Sequence, residues 1–389
     1  MEKYSAYRVR WLFDLFTALR NSRVSIQPFL TPIPSPSSHS AVLSAALLPI
    51  RYVVGLVRLA LIFILAIVYV LVVTVFAVIP PLKRPVSSAI IRTVLFCLGF
   101  FWIPTEMVSK KRGRSQKSTD DWNPSAGDLI ISNWASWVEL LWLAYRFDPV
   151  FVIPIPESPV QKPSSVTSSP ISSTPGRRSG RSSMPGIASS SRTPSSQIQI
   201  IGFTPVSLFT LLKETGRAPP YTSVTGATTT RSLDEIRKTS GRPVVVFPEC
   251  TTSNGRGLLR FAELFKQTSL PVKGYDVFIM CVRYDPPTGH SPTVTYSIPS
   301  SSSFNPLSHV FTLASSLTIP ALTIRLLTQS ESPSSPTFLV NEIVGVSARD
   351  DLLTEASAVL ISQLGKFKRM TMGWEDKVRF LEFYGSKST

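Results

Sequence analysis

Val244-Val245-Val246-Phe247-Pro248-Glu249-Cys250-Thr251-Thr252-Ser253-Asn254-Gly255-Arg256-Gly257-Leu258-Leu259-Arg260-Phe261 is the stretch on which the reading of the fold turns. Residues 244–247 are β-branched or aromatic, the composition of a strand buried on both faces of a parallel sheet. Pro248 cannot donate to a ladder and ends the strand. A polar loop follows, carrying the Glu249 carboxylate, the hydroxyls of Thr251, Thr252 and Ser253, the Asn254 amide, two glycines and Arg256. From Gly257 onward, the spacing of Leu258, Leu259, Phe261, Ala262, Leu264 and Phe265 predicts a helix with a broad apolar face. Strand, polar loop and helix together put free backbone N–H groups and the helix dipole where an anion can sit. Arg256 adds a permanent charge with a forked donor suited to a phosphate monoester. The competing reading is an ordinary βα turn punctuated by Ser, Thr, Asn and Gly.

Working outward, strand-like and helix-like segments alternate from Asp128, which predicts an α/β domain: a mixed, largely parallel sheet covered by helices. Residues 129–131 read as a strand, 136–145 as a helix and 150–155 as the next strand. Order resumes with a strand at 198–201 and a helix over 205–214, and Ser232-x-x-Glu235 is a capping box opening a short helix. Strands are expected at 277–284, 293–298, 322–327 and 338–343, with a helix over 306–317. Leu352, Leu353, Ala356, Val359, Leu360 and Leu364 form one face of a late helix closed by Gly365.

The flanks divide the chain further. Residues 1–40 are an amphipathic segment, with aromatic and leucine residues interleaved by Arg8, Arg10 and Arg20, followed by a Pro/Ser linker. Residues 41–105 hold an apolar run from 59 to 79 without charge or proline, long enough to cross a bilayer as a helix. A shorter piece at 89–103 contains Arg92 and offers a return helix half-embedded in one leaflet. Basic residues flank every end, so the positive-inside rule does not choose between a hairpin and a full crossing. A charged connector spans 106–125, the α/β domain 126–367 and a basic C-terminal tail 368–389. Inside the domain, 157–196 is rich in Ser, Pro and Thr and reads as a disordered insertion. The formal charge of +16 points to an anionic partner. A mean hydropathy of +0.18 favours an anionic membrane over nucleic acid, and no nucleic-acid module is present. Three scattered cysteines exclude a disulfide framework and a zinc site.

The order Phe247-Pro248-Glu249-x-Thr251-Thr252-Ser253-Asn254-Gly255-Arg256 resembles the third signature block of the membrane glycerolipid acyltransferases, which carry Glu-Gly-Thr there; Cys250 replaces the glycine. Ser132-Asn133-Trp134-Ala135-Ser136-Trp137-Val138-Glu139 resembles their first block, Asn-His-x4-Asp, with Trp134 at the histidine and Glu139 at the aspartate. Gly202-Phe203 is similar to the second block, without its arginine, and 270–284 occupies the place of the fourth. With its anchor and basic end, the chain looks most like the fungal lysophosphatidic acid:oleoyl-CoA acyltransferases of the endoplasmic reticulum and lipid droplet. The resemblance implies the glycerolipid acyltransferase fold with an N-terminal membrane helix or hairpin, and acyl-CoA-dependent acylation of a lysophospholipid, lysophosphatidic acid foremost. It places Asn133, Trp134 and Glu139 at catalytic positions. It assigns Gly202, Phe203, Glu249, Thr251, Thr252, Asn254 and Arg256 to substrate. No metal and no bound cofactor are implied; acyl-CoA is the co-substrate.

In that family the histidine takes the proton of the acceptor hydroxyl, which then attacks the thioester. An indole only donates, so Trp134 cannot do this, and the work would fall to Glu139, the substrate phosphate or water. Ser136-x-x-Glu139 is also a capping box, which by itself accounts for both residues. His39 and His290 lie in linker and turn contexts, and His309 reads as a satisfied core residue. The alternative function is a non-catalytic relative that binds lysolipid or regulates a paralogue.

Overall fold

The structure, a computed structural model, describes residues 27–33, 47–75, 80–109, 122–157, 197–221, 230–266, 268–288, 291–300, 304–343 and 351–388. The expected helix within 1–20, most of the 106–125 connector and nearly all of the 157–196 insertion lie outside these residues, as do His39 and His290. The helices are α1 (Leu48–Val75), α2 (Pro80–Cys97), α3 (Val138–Phe147), α4 (Leu208–Glu214), α5 (Leu233–Thr239), α6 (Leu307–Ala314), α7 (Val340–Ile343), α8 (Leu352–Gly365) and α9 (Trp374–Ser388). The strands are β1 (Thr105–Val108), β2 (Leu129–Ser132), β3 (Val150–Pro156), β4 (Ile200–Val206), β5 (Val244–Val246), β6 (Gly257–Leu258), β7 (Val277–Tyr284), β8 (Leu322–Leu327) and β9 (Lys368–Arg369).

Seven strands form one sheet in the order β1-β8-β7-β2-β5-β3-β4. Its centre, β7-β2-β5-β3, is parallel, while β4 and β8 run antiparallel to their inner neighbours. The alternation of side chains sorts the central strands between two cores. Ile130, Val245, Phe278, Met280 and Val282 face the layer of α2 and α3. Leu129, Ile131, Val244, Val246, Val277 and Ile279 face Ile236 of α5 and the buried stripe of α8. Both faces are covered, which is why these strands carry unbroken apolar runs. The fold is thus α/β with a largely parallel mixed sheet covered by helices, as the composition of the strands predicts.

The sequence ahead of the domain behaves differently in its two halves. α1 is long and apolar enough to cross a membrane, with a mean hydropathy of 3.0 in its most apolar window. It begins earlier than the uncharged run, so Arg51 and Arg58 lie within it. Their guanidiniums cap the C-terminal end of α6: Arg58 donates to the carbonyls of Ala314 (3.1 Å) and Ser316 (2.9 Å), and Arg51 to that of Ser315 (3.4 Å). Further along, Tyr69 meets Phe209 edge-on at 5.5 Å. From Arg51 to Tyr69 the helix therefore lies lengthwise against the domain, over about 27 Å at roughly 1.5 Å per residue. Its outer face, including Val53, Leu56, Phe63, Ile64, Ile67 and Leu71, is exposed. The piece expected as a return helix is α2, which packs against α1 and also joins the domain: Ile91 and Leu95 are buried against the α3 layer, and Arg92 donates to the carbonyls of Phe100 and Phe101.

Four further expectations fail for local reasons. The chain after Gly257 is extended, without the predicted helix. Gly257-Leu258 pairs with Lys368-Arg369, and Leu258 and Phe261 enter one core while Leu259 enters another. A helix would forfeit the bonds from Arg260 N to Met372 O and from Ala262 N to Pro248 O, and that from Phe265 N to Asp351. Residues 293–298 are extended but join no ladder; Tyr296 N donates to Ala135 O alone. Residues 338–343 contain the single turn α7 where a strand was expected. The supposed basic tail is β9 and α9, with Trp374 and Lys377 fully buried.

Candidate functional site

The carboxyl ends of β2, β5 and β7 lie side by side, and the two sequence blocks meet there. At the end of β2 the Asn133 side chain bridges to β7, donating to Val282 O (3.0 Å) and accepting from Val282 N (2.7 Å). Asn133 thereby staples two strands. At the end of β5, Glu249 holds both blocks: one oxygen accepts from Trp134 N (2.9 Å), the other from Leu259 N (3.1 Å). The Trp134 ring stacks on Phe247 at 5.1 Å, and its indole N–H donates to Ser136 O. Trp134 is 2 % exposed. Its side chain spends its only donor on the backbone.

Glu139 is sealed. One carboxylate oxygen accepts from Ala135 N (2.6 Å) and Ser136 N (2.7 Å), and the other accepts the phenol O–H of Tyr284, the last residue of β7. Half of the expected capping box is present, since the carboxylate reaches back to Ser136 N. The Ser136 hydroxyl instead donates to Val294 O (2.7 Å). Burial pushes the Glu139 carboxyl up to about 7, opposed first by the Tyr284 hydrogen bond. Burial likewise raises Glu249 to about 8 and holds the Tyr284 phenol well above its ordinary value. Three protonatable groups thus sit beside one another with their ionised forms disfavoured.

The loop that follows is closed on itself. Cys250 N, Ser253 N and Asn254 N donate to the carbonyls of Phe247, Trp134 and Pro28. Gly255 N and Arg256 N donate to the side chains of Ser253 and Asn254. The Thr251 hydroxyl donates to Arg217 O, that of Thr252 to Tyr296 O, and the Asn254 amide to Leu30 O. Glu249, Thr251, Thr252 and Asn254 are all buried, and with no helix behind them the expected anion nest is not formed. Two segments cover the loop: residues 28–30, whose Phe29 packs on Phe380, and α9, whose buried Lys377 ammonium donates to Thr252 O (2.6 Å). Burial drives the Lys377 amine well below its ordinary value. Of the loop's candidate residues only Arg256 is exposed.

Gly202 and Phe203 are not brought to this cluster. They lie on β4, three strands from β2. Gly202 lets the chain pass within contact of Thr230 and Arg231, and Phe203 bridges to Arg231 and packs in the core. Cys250 adopts φ 54, the left-handed region that favours glycine. His309 is a core residue, as expected: its Nδ1 accepts from the Trp137 indole (2.9 Å), its Nε2 donates to Thr293 O, and burial lowers it to about 4.

Sequence reading misses Tyr284 and Lys377. Tyr284 ends an apolar strand, and only the register of β7 beside β2 brings it to Glu139. Lys377 sits in a stretch whose charge suggests a solvated tail. Compared with protein-family models, curated proteins and solved structures, the chain matches none.

Proposed function

We propose that this chain is a membrane-seated lysophospholipid acyltransferase in which the Tyr284–Glu139 pair takes the place of the histidine–aspartate pair of the glycerolipid acyltransferases. The observation that carries this reading is the Tyr284 hydroxyl donating to a buried Glu139 carboxylate poised near neutrality, five residues beyond the tryptophan that replaces the histidine. A general base works best when its pKa lies near the working pH. The acceptor hydroxyl of the lysolipid attacks the thioester carbon. Its proton passes to the Tyr284 oxygen as the phenol proton passes to Glu139. The new C–O bond forms, the C–S bond breaks, and the departing CoA thiolate takes the phenol proton of Tyr284 as Glu139 hands its own back to the Tyr284 oxygen. Phenol and carboxylate both return to their starting states. Arg256, at the exit of the loop, offers the headgroup phosphate a guanidinium. The outer face of α1 gives the lipid-side seat, and the resemblance suggests the endoplasmic reticulum or lipid droplet.

The test is turnover by the purified full chain with lysophosphatidic acid and oleoyl-CoA, read as released CoA thiol and phosphatidic acid. Wild type turns over, and Glu139→Gln lowers kcat by about 10²–10⁴-fold, the usual worth of a general base. A wild type without thiol release refutes acyl transfer. The second reading, a non-catalytic relative that holds lysolipid, is favoured by one observation: the Trp134 ring fills the histidine position and its N–H is committed to Ser136 O.

A further inference from the structure

A cleft of about 740 Å³ opens on the other side of α2, between α2, the end of α3 and strands β1 and β8. It shares no lining residue with the carboxyl-end cluster. Three arginines, Arg84, Arg92 and Arg146, converge on it, with Trp102, Trp142 and Tyr145 among its walls and no carboxylate lining it among the described residues. Arg92 is committed to the carbonyls of Phe100 and Phe101 and lies over the Tyr145 ring at 5.8 Å. Arg84 and Arg146 are exposed, and among the described residues neither has a hydrogen bond or ion pair. Arg146 gains something from the C-terminal dipole of α3; Arg84, near the N-terminus of α2, gains nothing of the kind. Two unpaired guanidiniums facing one cleft repel each other unless an anion joins them. Their planar forks suit phosphate oxygens.

The surroundings identify which anion. Trp102 at the mouth is 79 % exposed, and Phe96 and Phe101, in edge contact at 4.8 Å, are exposed beside it. Exposed aromatic residues next to arginine are the pattern of a membrane–water interface. α2 also packs against α1, whose outer face is apolar.

From this geometry we infer that the cleft binds the phosphomonoester headgroup of a membrane lipid, between Arg84, Arg92 and Arg146, with Trp102 seated at the interface. The site is independent of the acyl-transfer reading. The probe is phosphatidylinositol 4-phosphate in mixed micelles with the full-length protein, followed by tryptophan fluorescence, since Trp102, Trp122 and Trp142 all line the cleft. Phosphatidylinositol and inorganic phosphate are the comparison ligands. Saturable binding is expected, at least about tenfold tighter than phosphatidylinositol. The double substitution Arg84→Gln, Arg146→Gln weakens it on the order of tenfold to a hundredfold, and because both side chains are exposed the variant folds with an unchanged Tm. Unchanged affinity in the double variant overturns the proposal. Inorganic phosphate binding as tightly as the lipid overturns the lipid assignment. Asp120 and Asp121 precede Trp122 in the sequence. A wild type that binds nothing while Asp120→Asn, Asp121→Asn binds would place the chain's own carboxylates in the cleft, and would also overturn it.

Discussion

Replacing Glu139 by glutamine keeps the shape of the side chain and removes its proton equilibrium. The amide oxygen still accepts from Ala135 N and Ser136 N, and the amide N–H group can donate to the Tyr284 oxygen. Refitting that one bond costs about 1 kcal/mol at every pH. The carboxyl rises from 4.5 to about 7 on folding. Below 4.5 both folded and unfolded chains hold the proton, and its stabilisation is fully present. Between 4.5 and about 7 the unfolded chain releases it while the folded chain does not, so folding weakens as pH rises. At about 1.4 kcal/mol per pH unit, that interval amounts to about 3 kcal/mol, or about 6–12 °C in Tm for a domain of this size. Glu249, raised to about 8, adds a fall in the same direction. The assay is thermal unfolding of the full chain in detergent at pH 4.5, 6 and 7.5. Wild-type Tm should fall steadily across the series, and the Glu139→Gln profile should fall less, with the two curves converging or crossing at the upper end. Parallel profiles, or a wild-type Tm that climbs with pH, would show that Glu139 is ionised in the folded protein and refute the reasoning.

Other consequences are simpler to read. Asn133→Ala removes both bonds from β2 to the Val282 backbone and leaves two buried groups unpaired, so denaturant unfolding should show a loss of about 2–4 kcal/mol. At Cys250, with φ 54, Cys250→Gly should stay within about 1 kcal/mol of wild type, relief of strain offsetting lost packing. Cys250→Val should cost more, on the order of 2–3 kcal/mol, because a β-branched residue is poorly tolerated there. The exposed apolar face of α1 should hold the protein in membranes through alkaline carbonate washing, and replacing Leu56, Phe63, Ile67 and Leu71 with serine should release it.

Where side-chain pattern and hydrogen bonding point the same way, the sequence speaks clearly. β7 and β8 appear with the expected bounds, and α8 does so within a residue, because an apolar run or a one-sided stripe in each had a layer to face. Ser232 caps α5 as its box predicts. Failures occur where apolar residues serve partners on several sides. Leu258, Leu259 and Ala262 mimic a helical face, yet each enters a different core from an extended chain. Phosphate-loop composition was equally legible and equally misleading. The same Thr and Asn side chains that would cradle an anion also satisfy the carbonyls of Arg217, Tyr296 and Leu30. No local pattern announces that Leu30, Arg217 and Tyr296, each remote in sequence, will bring their carbonyls to claim those bonds. Nor does the motif reveal Tyr284, separated from Glu139 by 145 residues and joined to it only by strand order.

The central claim is that the Tyr284 hydroxyl relays the proton to Glu139. The measurement that bears on it most directly is kcat for Tyr284→Phe against wild type, with lysophosphatidic acid and oleoyl-CoA near pH 7. Phenylalanine keeps the ring that packs beside Gly255 and removes only the oxygen. The relay predicts a fall in kcat of about 10²-fold or more with KM little changed. A Tyr284→Phe enzyme that turns over at the wild-type rate would contradict it.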